Sequence, residues 1–147
     1  MTPAIAVILI AGFFIELALF LVTRPFDPLL RAPGRCWREM NILAARLNPL
    51  WTFRVDESAG PLRAPTRPTV VVSNHASMTD VILLAHLPWE MKWLGKAANF
   101  QLPFAGWCLS LAGHIPVVRG DRESGGVAMR ACARWLTFFP APSATLR

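Results

Sequence analysis

Cysteine is scarce in this chain, and the three that occur stand far apart. Cys36, Cys108 and Cys132 form no Cys-x-x-Cys pair, so neither a disulfide framework nor a zinc site is suggested, and reduced thiols in the cytosol fit best. His86 and His114 have no ligand-like neighbours in sequence, which leaves a metal centre without support. Charge is thin as well: 16% of residues are charged against 54% apolar. That balance is tilted towards membrane association. Acidic residues are the scarcer sign, nine against fifteen Lys and Arg, for a formal charge of +6. The plain reading of such an excess is solubility. Where the basic residues cluster just after an apolar segment, attraction to anionic headgroups or phosphorylated substrates is the sharper one, and nucleic acid is not an expected partner. There is no internal repeat, no low-complexity segment beyond Pro-rich stretches, and no Gly-x-Ser-x-Gly elbow.

What is present begins with Pro3 to Val22, an almost unbroken apolar run with a single charge, Glu16. Roughly 20 such residues can cross a ~30 Å hydrocarbon core as a helix. No basic residue precedes the run and no persuasive small-residue site follows it, which disfavours a cleaved signal peptide. Arg24, Arg31, Arg35 and Arg38 all lie on its C-terminal side. The positive-inside rule then places the N-terminus outside and the rest in the cytoplasm, a single pass. Glu16 is costly in lipid and marks either a packing partner or a helix lying partly in the interface. Pro25, Pro28 and Pro33 are expected to break the helix before them. From Gly34 to Leu47, Trp37, Met40, Leu43, Ala44 and Leu47 have helical spacing, with Arg35, Arg38, Glu39 and Arg46 elsewhere on the surface. An interfacial helix and an ordinary amphipathic helix packed on the domain fit this pattern equally. The expected organisation is a transmembrane anchor over residues 1–24, an amphipathic membrane-proximal segment over 25–50, and a partial catalytic domain over 51–147.

Beyond Asn48-Pro49, short apolar runs alternate with helical patterns. Strands are expected at Trp51–Asp56, Thr69–Ser73, Met91–Gly95 and His114–Val118, with another starting at Phe138-Phe139-Pro140. Helices are expected at Ser77–Leu87, Phe104–Leu111 and Arg122–Leu136. Strands alternating with helices imply an α/β fold, a mostly parallel sheet with flanking helices.

The stretch Asn74-His75-Ala76-Ser77-Met78-Thr79-Asp80 carries the chemistry. It follows Thr69–Ser73, read as a buried strand, and open α/β sheets bind ligands at such strand ends. His75 can take a proton from a substrate hydroxyl, while Asp80 fixes its tautomer and supports the imidazolium. This chemistry moves an acyl group onto an alcohol. A bland alternative stands beside it: Ser77-x-x-Asp80 also reads as a helix capping box, with Asn74 and His75 as turn residues. A Ser-His-Asp triad fits poorly, because Ser77 would share one tight turn with His75.

Further motifs follow in order: Lys96, then Pro103-Phe104-x-Gly106, then Gly113-His114-Ile115-Pro116-Val117-Val118-Arg119. This series resembles the glycerolipid acyltransferases, specifically the 1-acylglycerol-3-phosphate acyltransferases that make phosphatidic acid. The resemblance covers about Thr69 to Pro140, and the apolar N-terminus is similar to that of bacterial members. It implies His75 as general base, Asp80 as its orienting partner and Arg119 as a phosphate-binding arginine. Lys96 adds positive charge beside the acceptor or at the membrane, a snorkelling surface lysine fitting equally, and Asn74 and Ser77 shape the loop. It further implies direct attack of the hydroxyl on the thioester of acyl-CoA or acyl-carrier protein, without an acyl-enzyme, cofactor or metal. Membrane lipids and lysophosphatidic acid are the implied partners, and the cytoplasmic face of a bacterial inner membrane the implied location. The resemblance also sets a point of departure. The family continues from Phe-Pro into Glu-Gly-Thr-Arg, whereas Phe139-Pro140 here runs into Ala141-Pro142-Ser143. A frameshift or truncation after Pro140 is therefore expected, together with a sheet incomplete at the C-terminus.

Overall fold

The computed structural model describes residues 3–48, 52, 54, 56, 58, 63–74, 77–87 and 89–138. Helix α1 covers Pro3–Thr23 and is long and apolar enough to cross a membrane. It stops where Arg24-Pro25 follows, since proline disfavours helical backbone in the residue before it. Helix α2, Arg31–Arg46, then runs back beside α1. The Met40 side chain lies over Gly12, and the Cys36 thiol lies near the Glu16 carboxyl, a pairing that makes the two helices antiparallel. The Asp27 carboxylate accepts from the Ala32 N–H at 2.8 Å and so serves the first turn of α2. Pro33 corrects the expected break. It sits buried inside that first turn, where its missing N–H is one the helix leaves unpaired anyway.

Helix α3 spans Met78–Leu84 and touches α2. Strand β1, Leu94–Lys96, leads through a 3₁₀ turn at Ala97–Gln101 into helix α4, Ala105–Leu111. Strand β2, Ile115–Val117, returns parallel to β1 with Leu94 opposite Ile115 and Lys96 opposite Val117. Helix α5, Arg122–Phe138, packs on β2. The core lies where α1, α2 and α4 meet. Glu16 and Cys108 are both wholly buried there, and the Glu16 carboxyl faces the Cys108 thiol. Phe13 closes this packing from α1, its ring 5.6 Å from Phe104 and 5.3 Å from Trp107. Glu16 is thus a packing partner between helices.

Lys92 ties the remaining elements together. Its ammonium donates to the carbonyls of Leu30 (2.9 Å) and Ala112 (2.7 Å) and sits 5.1 Å from the Trp135 ring centre. Burial lowers its pKa to about 8, with the neighbouring Glu90 acting in the opposite sense. Gly34 makes room for it, because a Cβ there would lie 3.3 Å from the Lys92 Nζ.

The Pro103-Phe104-x-Gly106 motif has a steric basis. Phe104 takes a positive φ of 59° to turn the chain into α4. A Cβ on Gly106 would run into the Phe100 carbonyl and lie 2.8 Å from the Asn99 oxygen. Backbone cannot step aside as a side chain can. Gly106→Ala is therefore expected to cost about 3 kcal/mol, the upper range for overpacking, read as a lowered unfolding midpoint in detergent.

Other expectations need correction. Thr69–Ser73 is not a buried strand: it has no regular secondary structure and is exposed, with Val70, Val71 and Val72 at 71%, 49% and 89% exposure. No described segment pairs with it, and β-branched residues become a strand only when a neighbour takes their backbone groups. The sheet holds two strands among the described residues rather than the larger parallel sheet expected. Of Trp51–Asp56, the described Thr52, Arg54 and Asp56 are exposed and outside any strand. Phe138 ends α5 instead of starting a strand, and Phe139–Pro140 lie outside the described residues, as does the expected departure after Pro140.

Candidate active site

In a parallel pair the carboxyl ends of the strands form one edge, and here that edge carries two cations. Lys96 closes β1 opposite Val117, and Arg119 follows two residues beyond Val117. Both are exposed, and neither forms an ion pair with a described residue. The turn bearing Arg119 is fixed from below. The Val118 N–H donates to the Ser124 hydroxyl (2.9 Å), Gly120 supplies a φ of 84°, and the Asp121 carboxylate accepts from the Glu123 N–H at 2.9 Å. Gly-Asp-x-x-Ser is a turn followed by a helix start, the sequence signal that locates the beginning of α5 at Arg122.

The Ser77–Asp80 part of the expected site forms the start of α3. Ser77 is its N-cap, the Thr79 N–H donates to the Ser77 hydroxyl (3.2 Å), and the Ser77 N–H donates to Asp80 Oδ2 (2.9 Å). The capping box is real. It does not compete with an orienting role, because a carboxylate has two oxygens and about four acceptor positions. Asn74 is exposed just before the turn. His75 lies outside the described residues. The structure thus brings Lys96 and Arg119 to one sheet edge and anchors Ser77 and Asp80 at a helix start.

Sequence reasoning passed over His114. It is 7% exposed, and its Nδ1 accepts from the Trp93 N–H at 3.1 Å, so the ring proton resides on Nε2. Parallel register is what sets position 114 beside 93, information that no local motif carries. Burial, reinforced by the Lys92 charge, lowers the His114 pKa from 6.5 to about 3. Between those values the unfolded chain binds the extra proton, so stability falls as pH falls from 6.5 towards 3. The expected limiting slope is about 1.4 kcal/mol per pH unit. Unfolding midpoints measured across this window check it, and His114→Asn, which keeps an acceptor for Trp93, should flatten the dependence.

Among the described residues, the two core thiols do not offer a nucleophile. Burial pushes the Cys36 thiol up to about 11 and raises Cys108 as well, each with the Glu16 carboxyl beside it. Thiols held protonated are inert.

Comparison with known proteins then decides the family. The Acyltransferase family model matches residues 57–138. The chain belongs to the acyltransferase family. Its curated relatives include a 1-acyl-sn-glycerol-3-phosphate acyltransferase of Chlamydomonas reinhardtii, 35% identical over 58% of this chain and 27% of the relative. A chloroplastic enzyme of the same name from Arabidopsis thaliana is 29% identical over 78% of this chain and 33% of its own length. A lyso-ornithine lipid O-acyltransferase of Pseudomonas aeruginosa is 34% identical over 69% and 40%. The chain therefore spans well under half the length of these relatives. No solved structure matches it. Lys96, Arg119 and the α3 start all fall inside the region matched to the family.

Proposed function

We propose that the chain transfers a fatty acyl group from an acyl thioester to the free hydroxyl of 1-acylglycerol 3-phosphate, giving phosphatidic acid. The observation that carries this reading is the pair of exposed cations, Lys96 and Arg119, at one strand edge of an acyltransferase-family chain. A phosphomonoester is the natural counter-charge for such a pair, and a guanidinium fork matches its oxygens. His75 takes the proton from the acceptor hydroxyl as its oxygen attacks the thioester carbonyl. The C–S bond then breaks, and the proton passes from the imidazolium to the departing thiolate of coenzyme A or acyl-carrier protein. Asp80 holds the imidazole from the first turn of α3. An imidazole suits both transfers at neutral pH, its reference pKa being near ~6.5. The reaction needs no cofactor or metal in this scheme.

The substrate is a lipid, and α1 brings the chain to it. Val7, Phe14 and Leu21 form an outward apolar stripe, 65%, 59% and 65% exposed. Helix α2, which bears Arg35, Arg38, Glu39 and Arg46, runs beside α1. A full crossing would carry those charges into hydrocarbon at a cost of about 3 kcal/mol each. Attachment in the interface, with the stripe towards lipid, fits this packing better than a single pass. The arginines after α1 suit the anionic headgroups of a cytoplasmic leaflet, the side on which this reading puts the catalytic residues, and the Pseudomonas relative is a bacterial protein.

The test is an acceptor comparison with purified chain in detergent–lipid micelles and a labelled acyl thioester. Labelled diacyl product from 1-acylglycerol 3-phosphate, in excess over that from lyso-ornithine lipid, is the expected result. Exclusive acylation of lyso-ornithine lipid would reassign the acceptor, and no acylation of either would refute the proposal.

A further inference from the structure

A polar cavity opens at the other edge of the strand pair, where Trp93 and His114 precede β1 and β2. Helix α2, helix α3 and the segment from Trp89 to Trp93 enclose it, and its inner space is about 20 Å³. That is room for one oxygen-sized atom. Arg38 Nε, Trp89 Nε1 and His114 Nε2 are buried and have no hydrogen-bond partner among the described residues. All three residues line this one cavity. With Nδ1 occupied as acceptor for Trp93, His114 presents an N–H to it. Three unpartnered donors therefore line the cavity and ask for an acceptor; of the other polar lining, Asn41 donates its Nδ2–H to the Trp37 carbonyl, and Arg38 keeps Nη2 on Glu39 at 2.9 Å while its Nε is left over.

The wall composition separates the candidate occupants. A water has two lone pairs and two hydrogens of its own to place, so three donors exceed what it can accept. An oxyanion accepts all three and leaves nothing to satisfy. The acid in the lining, Glu90, is engaged with Arg35 at 3.5 Å. Arg35 also lines the cavity, and its side chain is 67% exposed, so a second guanidinium stands at the rim.

We propose that this cavity is an oxyanion site, taking one oxygen of a phosphate group on Arg38, Trp89 and His114, with Arg35 at the rim. It is separate from the acceptor site of the proposed reaction, since Lys96 and Arg119 lie at the opposite ends of the same strands. Free phosphate and the phosphate of a phospholipid headgroup share this chemistry, and α2 lines the cavity while packing beside the apolar α1.

The experiment follows the indole N–H resonances of the ¹⁵N-labelled chain in neutral detergent micelles, with Trp89 assigned by its absence in Trp89→Phe. Inorganic phosphate is titrated against chloride at matched ionic strength. In a second arm, nanodiscs containing phosphatidic acid are compared with nanodiscs of phosphatidylcholine alone. A saturable, selective shift of Trp89 in the phosphate arm supports the site with free ion as its source; a shift confined to phosphatidic acid supports it with the headgroup as source. Arg38→Met, with the other indole signals unmoved, should weaken either response by about tenfold, the loss of one charge-assisted bond. No Trp89 shift in either arm, an equal shift with chloride, or an undiminished response in Arg38→Met would overturn the proposal.

Discussion

Replacing His75 with alanine is expected to lower acyl transfer by about 10²–10⁴-fold in kcat, the range general-base catalysis supplies. Membrane attachment should not change, because α1 packs on α2 and α4 and none of the three helices includes position 75. The measurement is turnover of labelled acyl thioester into diacyl product, alongside flotation with liposomes. Loss of both together would mean that the substitution unfolds the chain. Asp80→Asn separates the two roles of Asp80. Asparagine keeps an oxygen for the Ser77 N–H, now bonded at 2.9 Å, so α3 stays capped while the charge that supports an imidazolium is gone. Wild-type turnover in that variant would reduce Asp80 to a cap.

Arg119→Met is expected to reduce kcat/KM for the phosphorylated acceptor by about 100-fold, near 3 kcal/mol of transition-state binding. The KM for the acyl thioester should stay as it is, since the loss falls on the acceptor side. Lysine at position 119 should recover part of the loss as a point charge without the guanidinium fork. Because Arg119 is exposed and its turn is held by Asp121 and Ser124 rather than by its own side chain, stability should hardly move. An equal loss with a monoacylglycerol lacking phosphate would show that Arg119 does not read the phosphate.

How much of this was visible in the sequence depended on the range of the interactions concerned. Helices α1, α4 and α5 were legible because local apolar spacing and the proline and glycine positions specify them. The capping box at Ser77 and Asp80 was legible for the same reason, its bonds spanning three residues. Thr69–Ser73 was misread because three valines signal a strand only if a partner exists, and partners are set by distant sequence. Pro33 was misread because the Asp27 carboxylate, which serves the start of α2, lies before the proline. Lys92 and His114 were invisible as functional positions: their partners stand 20 to 62 residues away. Arg119 was found through its motif, but its neighbour at the sheet edge, Lys96, acquires meaning only from the register opposite Val117.

Thioester consumption measured with and without acceptor tests the central assignment most directly. If the carboxyl edge of β1 and β2 binds a phosphorylated lysolipid for His75 to activate, thiol release should require 1-acylglycerol 3-phosphate and match diacyl product one for one. Thiol release at the same rate in water alone, with free fatty acid as the product, would make the chain a thioester hydrolase and contradict the assignment.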